Sequence, residues 1–198
     1  MTKFNVPSRG EVSVNNQEIF DNLQKGLGTV PNLYAVMAHS DTALGNYLAF
    51  QNAKTTFNNK EKQAINLVVS QVNECTYCQA AHTVLGKMNG LTKEQTIEIR
   101  KGGAAFDNKL NALVALAKEV TLKKGFVEES ALENFFNAGY TKGQAVELVM
   151  LVAEKIAMNY LHAVTKVAID FPIAKSDCFG GWIAGDQKTA MAGISIKF

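Results

Sequence analysis

Proline is scarce in this chain. Only 3 occur in 198 residues, and none lies between Pro31 and Pro172, so nothing in that long stretch forces a helix to break. Cysteine is almost as rare, at 3 residues, which excludes a disulfide framework. Charge of one sign is missing too: the net charge is +2, and the nearest thing to a basic cluster is Lys123-Lys124. A nucleic-acid or anionic-lipid partner is therefore not expected. The opening Met-Thr-Lys-Phe-Asn-Val-Pro lacks the apolar stretch of a signal peptide. The most apolar segment, Ala145 to Met158, is interrupted by Glu147, Glu154 and Lys155 and is too short to span a bilayer. These absences lead to an expectation of a cytoplasmic protein with no membrane partner.

What is present is helical patterning. Apolar residues recur at three and four throughout Pro31 to Pro172, and no stretch alternates with period two, so an all-α bundle with no sheet is expected. Start and stop signals divide it. A short helix around Gln17–Lys25 stops near Gly26 and Gly28. Val30-Pro31-Asn32 opens a second, to about His39, and Asp41 is expected to cap a third through about Ala53. Asn58 or Asn59 begins Lys60–Val72, whose apolar face is Ala64, Ile65, Val68, Val69 and Val72. Asn73-Glu74 breaks the pattern, and a further helix runs to Gly90. Thr92 with Gln95 and Thr141 with Gln144 are capping-box pairs. Gly102-Gly103, Gly125 and Gly139 suit helix C-termini. The segment from Thr141 to about Ile169 is the longest helix, apolar nearly all round in its first half, and so suits the core or a subunit interface. The length fits a single domain over residues 1–172, with its central motif at 60–90. A tail over 173–198 carries Cys178, Gly180-Gly181 and Trp182 and could fold over a neighbouring subunit.

The chemistry concentrates at Cys75-Thr76-Tyr77-Cys78-Gln79-Ala80-Ala81-His82. Two thiols and an imidazole at i, i+3 and i+7 of a helix fall within an arc of about 60°. A CxxC pair can cycle between dithiol and disulfide, or bind a metal together with the histidine. Two features favour redox work. Cys75 at a helix start faces unpaired N–H groups that stabilise an anion, and His82, one turn after Cys78, is placed to share its proton. On this reading Cys78 attacks a peroxide and becomes a sulfenic acid, and Cys75 closes the disulfide. An external dithiol must then reopen it. A metal-binding module would use Cys75, Cys78 and His82 with Cys178 or His39 as a fourth ligand, but no second CxxC or HxxxH completes the set. A thiol–disulfide exchange protein or redox sensor is the third alternative. Tyr77 and Thr76 are expected as a packed aromatic and a first-turn polar residue, and His39 and His162 as structural or interface residues. The sequence around Leu148-Val149-Met150, leading to Asn159 and His162, faintly echoes Leu67-Val68-Val69 leading to Cys78 and His82.

The block Asn66 to His82 resembles the core of the alkylhydroperoxidase D-like, or carboxymuconolactone decarboxylase, family, most closely its peroxidase-related branch. Val30-Pro31-Asn32-Leu33, Ala38-His39-Ser40, Asn159-Tyr160 and Ile169-Asp170-Phe171-Pro172 extend the resemblance from about Leu27 to Pro172. It implies an all-α fold assembled as a homo-oligomer, from dimer to hexamer. It also implies reduction of hydrogen peroxide or organic hydroperoxides without metal, haem or other cofactor, and electrons from a lipoyl-bearing or thioredoxin-like dithiol. Carried across, Cys78 matches the peroxidatic cysteine, Cys75 the resolving one and His82 the relay histidine. The family's relay glutamate, twelve residues before the first cysteine, is Gln63 here. Glutamine can orient His82 but cannot balance an imidazolium, so the resemblance implies a weakened relay. The CxxC pair argues against decarboxylation.

Overall fold

The computed structural model describes residues 3–174; Cys178, Gly180-Gly181 and Trp182 fall outside them. Among the described residues a 3₁₀ turn, Arg9–Glu11, precedes nine α-helices: α1 Val14–Leu27, α2 Asn32–Met37, α3 Ala43–Gln51, α4 Asn59–Val72, α5 Thr76–Met88, α6 Lys93–Lys101, α7 Asn108–Leu122, α8 Glu129–Asn137 and α9 Lys142–Thr165. No strand occurs among these residues.

The capping signals act as expected at three helices. Asn58 and Glu61 close a reciprocal box at the start of α4, Thr92 and Gln95 at α6, and Thr141 and Gln144 at α9. Each box satisfies two of the backbone donors a helix start leaves unpaired. Several boundaries differ from the sequence expectation; α1, for one, starts at Val14 behind a Ser13 cap and not near Gln17. Asp41 does not cap α3; the Ser40 hydroxyl instead accepts from the N–H groups of Thr42 and Ala43. The last helix ends at Thr165 rather than near Ile169, because Lys166 turns left-handed at φ 51° and returns its N–H to the His162 carbonyl.

Helix α4 is the centre of the bundle. Its face of Ala64, Ile65, Leu67, Val68 and Val69 is wholly buried and packs against α5, α6, α7 and α9. Val72, expected on that face, is only half-buried. Phe135 on α8 is also fully buried and stacks on Tyr140 at 4.4 Å between ring centroids. Side chains of this kind contribute about 1.5–3 kcal/mol each on leaving water. A second apolar cluster joins Leu33, Val36 and Tyr47 of α2 and α3 to Cys75, Tyr77, Cys78, Met158 and Val167. The CxxC segment thus lies where the N-terminal helices meet α5 and α9.

Helix α9 is long and apolar enough, by length and composition, to cross a membrane. Here it packs against α2, α3, α4, α5 and α7, with Leu148, Val152 and Met158 buried among them. Its other side carries Val146, Val149, Met150, Tyr160 and Val164 exposed.

Candidate active site

The site begins with the way α4 stops. Glu74 adopts a left-handed φ of 54°. That turn lets the N–H of Glu74 reach the carbonyl of Gln71 at 3.1 Å and the N–H of Cys75 reach that of Ser70 at 2.9 Å. This paired return is a Schellman closure, ordinarily built on glycine. It delivers Cys75 directly to the N-cap of α5, in extended conformation, before the helix proper. From there its Sγ accepts the backbone N–H of Cys78 at 3.3 Å. The two thiols are reduced, and each is 3% exposed.

The two sulfurs do not ionise alike. Cys75 is lowered to about 5, first by the hydrogen bond from Cys78, with further help from the His162 ring and the Cys78 N–H. Cys78 is raised, first because its S–H serves the Cys75 anion and then by burial; Lys155 and Asn159 pull the other way. One proton is therefore shared by the pair, and the negative charge rests on the sulfur at the helix N-terminus.

His82 sits one turn beyond Cys78, at 6% exposure. Its Nδ1 lies 2.8 Å from the Oε1 of Gln63 on α4. In this amide orientation Gln63 accepts, so Nδ1 carries the proton and Nε2 is left with a lone pair. Burial holds the His82 pKa well below its ordinary value, and the charge of Lys155 adds to that. The residue twelve places before the first cysteine thus touches the histidine. Neither nearby glutamate takes its place: Glu61 accepts from the Tyr140 hydroxyl at 2.8 Å, and Glu74 is exposed.

Four contributors on α9 were not predicted as site residues. Asn159 donates to the Ser70 hydroxyl at 3.3 Å and accepts from Asn73 at 3.0 Å, bracing the turn before Cys75. His162, expected to be structural, lies against Cys75 and 5.3 Å from the Tyr77 ring. Its Nε2 is 3.2 Å from the carbonyl of Val167, to which it donates. Glu154 and Lys155 are buried side by side at 3.6 Å, and the hydroxyl of Tyr47 donates to Glu154. The sequence hints were the faint echo at Asn159 and His162 and the family match at Asn159-Tyr160, since a fold is needed to say which face of α9 meets the dithiol.

Tyr77 is the packed aromatic expected. Its hydroxyl accepts the N–H of Leu33 at 3.2 Å; Asp170, close enough to act on that hydroxyl, accepts the N–H of Asn32 at 2.7 Å. The Ile169-Asp170-Phe171 strap is thereby tied across α2 and the CxxC turn. His39 pairs with the Asn5 carbonyl at 3.0 Å. Among the described residues no three His, Cys, Asp or Glu side chains converge as a metal ligand set.

Residues 37–119 match the family model of the carboxymuconolactone decarboxylase family. That stretch holds Gln63, Cys75, Cys78 and His82 and ends before α9. No curated protein matches the chain. Among solved structures, an uncharacterized peroxidase-related protein with an alkylhydroperoxidase AhpD core, from Ralstonia eutropha JMP134, superposes with a TM-score of 0.77. It is 17% identical, over 90% of this chain and 94% of that one. A peroxidase-related protein from Silicibacter sp. TM1040 gives 0.74 at 20% identity, over 90% and 94%. The debrominase Bmp8, in complex with 2,3,4-tribromopyrrole, gives 0.73 at 14% identity, over 86% and 92%. The all-helical AhpD-like fold is common to all of them.

Proposed function

We propose that this protein is a thiol peroxidase that reduces hydrogen peroxide or an organic hydroperoxide with its CxxC dithiol. The observation that carries the reading is the reduced pair itself, joined through the Cys78 N–H to Cys75 Sγ contact of 3.3 Å at a helix N-terminus. At rest the anion is on Cys75. Passing the shared proton from Cys78 to Cys75 makes Cys78 the thiolate. Cys78 Sγ attacks one oxygen of ROOH; the O–O bond breaks, and the alkoxide leaves as ROH with the proton Cys75 had accepted, His82 Nε2 acting as relay. Cys75, again a thiolate, attacks the Cys78 sulfenic sulfur; hydroxide leaves and takes a proton from solvent to become water. The sum is dithiol plus ROOH giving disulfide, ROH and water. An external dithiol, lipoyl or thioredoxin-like, reopens the disulfide by exchange. A pair that needs this re-reduction suits a reducing compartment such as the cytoplasm.

The test is peroxide consumption with dihydrolipoamide or reduced thioredoxin as donor. Cys78→Ser should abolish it, and Cys75→Ser should leave a sulfenic acid at Cys78 that dimedone labels. Full rate in Cys78→Ser, or dimedone labelling at Cys75 in that variant, overturns the order of attack.

A second reading, thiol–disulfide exchange with little peroxide turnover, is favoured by the Cys75 pKa of about 5 and by Gln63 in the relay position. It predicts fast reaction with lipoamide disulfide and slow reaction with hydroperoxide. A bromopyrrole in the same panel tests the debromination that the Bmp8 likeness brings to mind.

The exposed α9 residues Val146, Val149, Met150, Tyr160 and Val164 lie three, four or multiples of a turn apart, an apolar stripe that fits a homo-oligomer contact.

A further inference from the structure

A lysine buried to 2% exposure is a costly residue to keep inside a small bundle, because its ammonium must be taken from water. Among the described residues Lys155 has one ion-pair partner in reach, Glu154 at 3.6 Å. That distance is longer than a charge-assisted hydrogen bond, and Glu154 also takes the Tyr47 hydroxyl. Behind Tyr47 the chain continues: Gln51 donates to the Tyr47 oxygen at 3.0 Å and accepts from Tyr34 at 2.8 Å. The carboxylate is thus anchored on its far side. Lys155 stands three and four residues before Met158 and Asn159, the residues of α9 that pack with Cys75 and Cys78 and brace Ser70. Its face of the helix is the face turned to the dithiol.

We propose that Lys155 is a positioning residue of the dithiol: its buried ammonium, steadied by Glu154, supplies the fixed positive charge that holds the anion of the Cys75–Cys78 pair. The claim deepens the peroxidase reading and rests on the dithiol as its site. The titratable groups facing Lys155 are Glu154 on its own helix, Tyr34 from α2, and Cys75, Cys78 and His82 from the CxxC segment, with Tyr47 of α3 beyond Glu154. Of these, Tyr34 is held protonated by burial, and His82 is held neutral. The charges left to balance Lys155 are the Glu154 carboxylate and one sulfur. The consequence for chemistry is a division of labour. Where a relay carboxylate would pair with an imidazolium, this chain has Gln63 and a neutral ring. Lys155 carries the charge, and His82 is free to move protons. When the dithiol becomes a disulfide the anion disappears and Lys155 keeps only Glu154, so the cation also favours the reduced form.

The test reads thiolate directly by its ultraviolet absorbance near 240 nm as a function of pH, on the full chain, without peroxide. Lys155→Met should move the first thiol midpoint upward by about one to two units, the scale of removing a single nearby charge from a buried site. Glu154→Gln should move it downward, since a negative neighbour has gone. Shifts of opposite sign are what charge predicts, and loosened packing would not produce them. Should Lys155→Met unfold with Glu154 left unpaired, the doubly neutral Lys155→Met/Glu154→Gln variant replaces it, and an upward shift is again expected. Unchanged midpoints in folded variants, or both single variants shifting the same way, overturn the proposal. If the midpoints shift as expected but the wild type does not consume peroxide, the charge assignment stands and the peroxidase reading falls.

Discussion

Replacing Gln63 with glutamate tests the site at its weakest point. The Gln63 carbonyl lies 2.8 Å from His82 Nδ1, so Gln63→Glu puts a carboxylate oxygen where a neutral acceptor stands now. A neutral hydrogen bond contributes about 1 kcal/mol net and a charged one about 1.5–3 kcal/mol. At an effective dielectric of 20 the attraction of an imidazolium for a carboxylate at ~4 Å is about 4 kcal/mol before desolvation is subtracted, a gross figure for the same contact and not an addition to it. Burial and Lys155 both oppose that gain. The net expectation is a His82 pKa raised by about 1–3 units. The histidine titration followed by nitrogen NMR reads this shift, and kcat/KM for hydroperoxide reads its consequence. A relay able to hold its proton should raise kcat/KM roughly tenfold, a fraction of what general acid–base catalysis can supply. A His82 titration that does not move, or a rate unchanged or lower in a variant that melts like the wild type, would refute the idea that protons travel by this pair.

The remaining expectations concern pH and assembly. Because Cys75 is lowered to about 5, the unfolded chain binds one proton more than the folded one from the ordinary thiol range near ~8.5 down to that value. Stability should therefore fall as pH falls through this window, by at most about 1.4 kcal/mol per unit. Below about 6.5 the lowered pKa of His82 steepens the loss, since the unfolded imidazole protonates and the folded one resists. Urea midpoints against pH check both: Cys75→Ser should flatten the first slope and His82→Gln the second, and parallel curves would contradict the charge assignments. Met150→Lys, in the exposed stripe of α9, should reduce the particle mass seen by light scattering without lowering helicity. An unchanged mass would place the oligomer contact elsewhere.

Local signals made much of this fold legible. Asn58, Thr92 and Thr141 announce helices because capping is a matter of three or four neighbouring residues. The same locality explains the failures. Asp41 was as good a cap as Ser40 by residue type, and only the folded turn decides which oxygen meets the free N–H groups. Lys166 and Glu74 take left-handed conformations with no glycine to betray them. At the site, Cys75, Cys78 and His82 could be aligned because helical periodicity puts them on one face, whereas Gln63 came from the position that the family resemblance gives its relay residue. Lys155, Asn159 and His162 come from a helix more than seventy residues further on. Their place depends on how α9 rotates against α4 and α5, which periodicity alone does not set. Lys155 in particular read as an interruption of an apolar segment, yet the fold buries it on the face of α9 that carries Met158 and Asn159.

The central claim is that the two sulfurs form one redox unit. Treating the reduced protein with one equivalent of hydroperoxide, and weighing it intact before peptide mapping, tests that claim most directly. The account predicts the loss of two hydrogens, a Cys75–Cys78 bridge within one chain, and one alcohol released per bridge. Thiols that survive the treatment, or a Cys78 carried to sulfinic acid while Cys75 stays free, would contradict it.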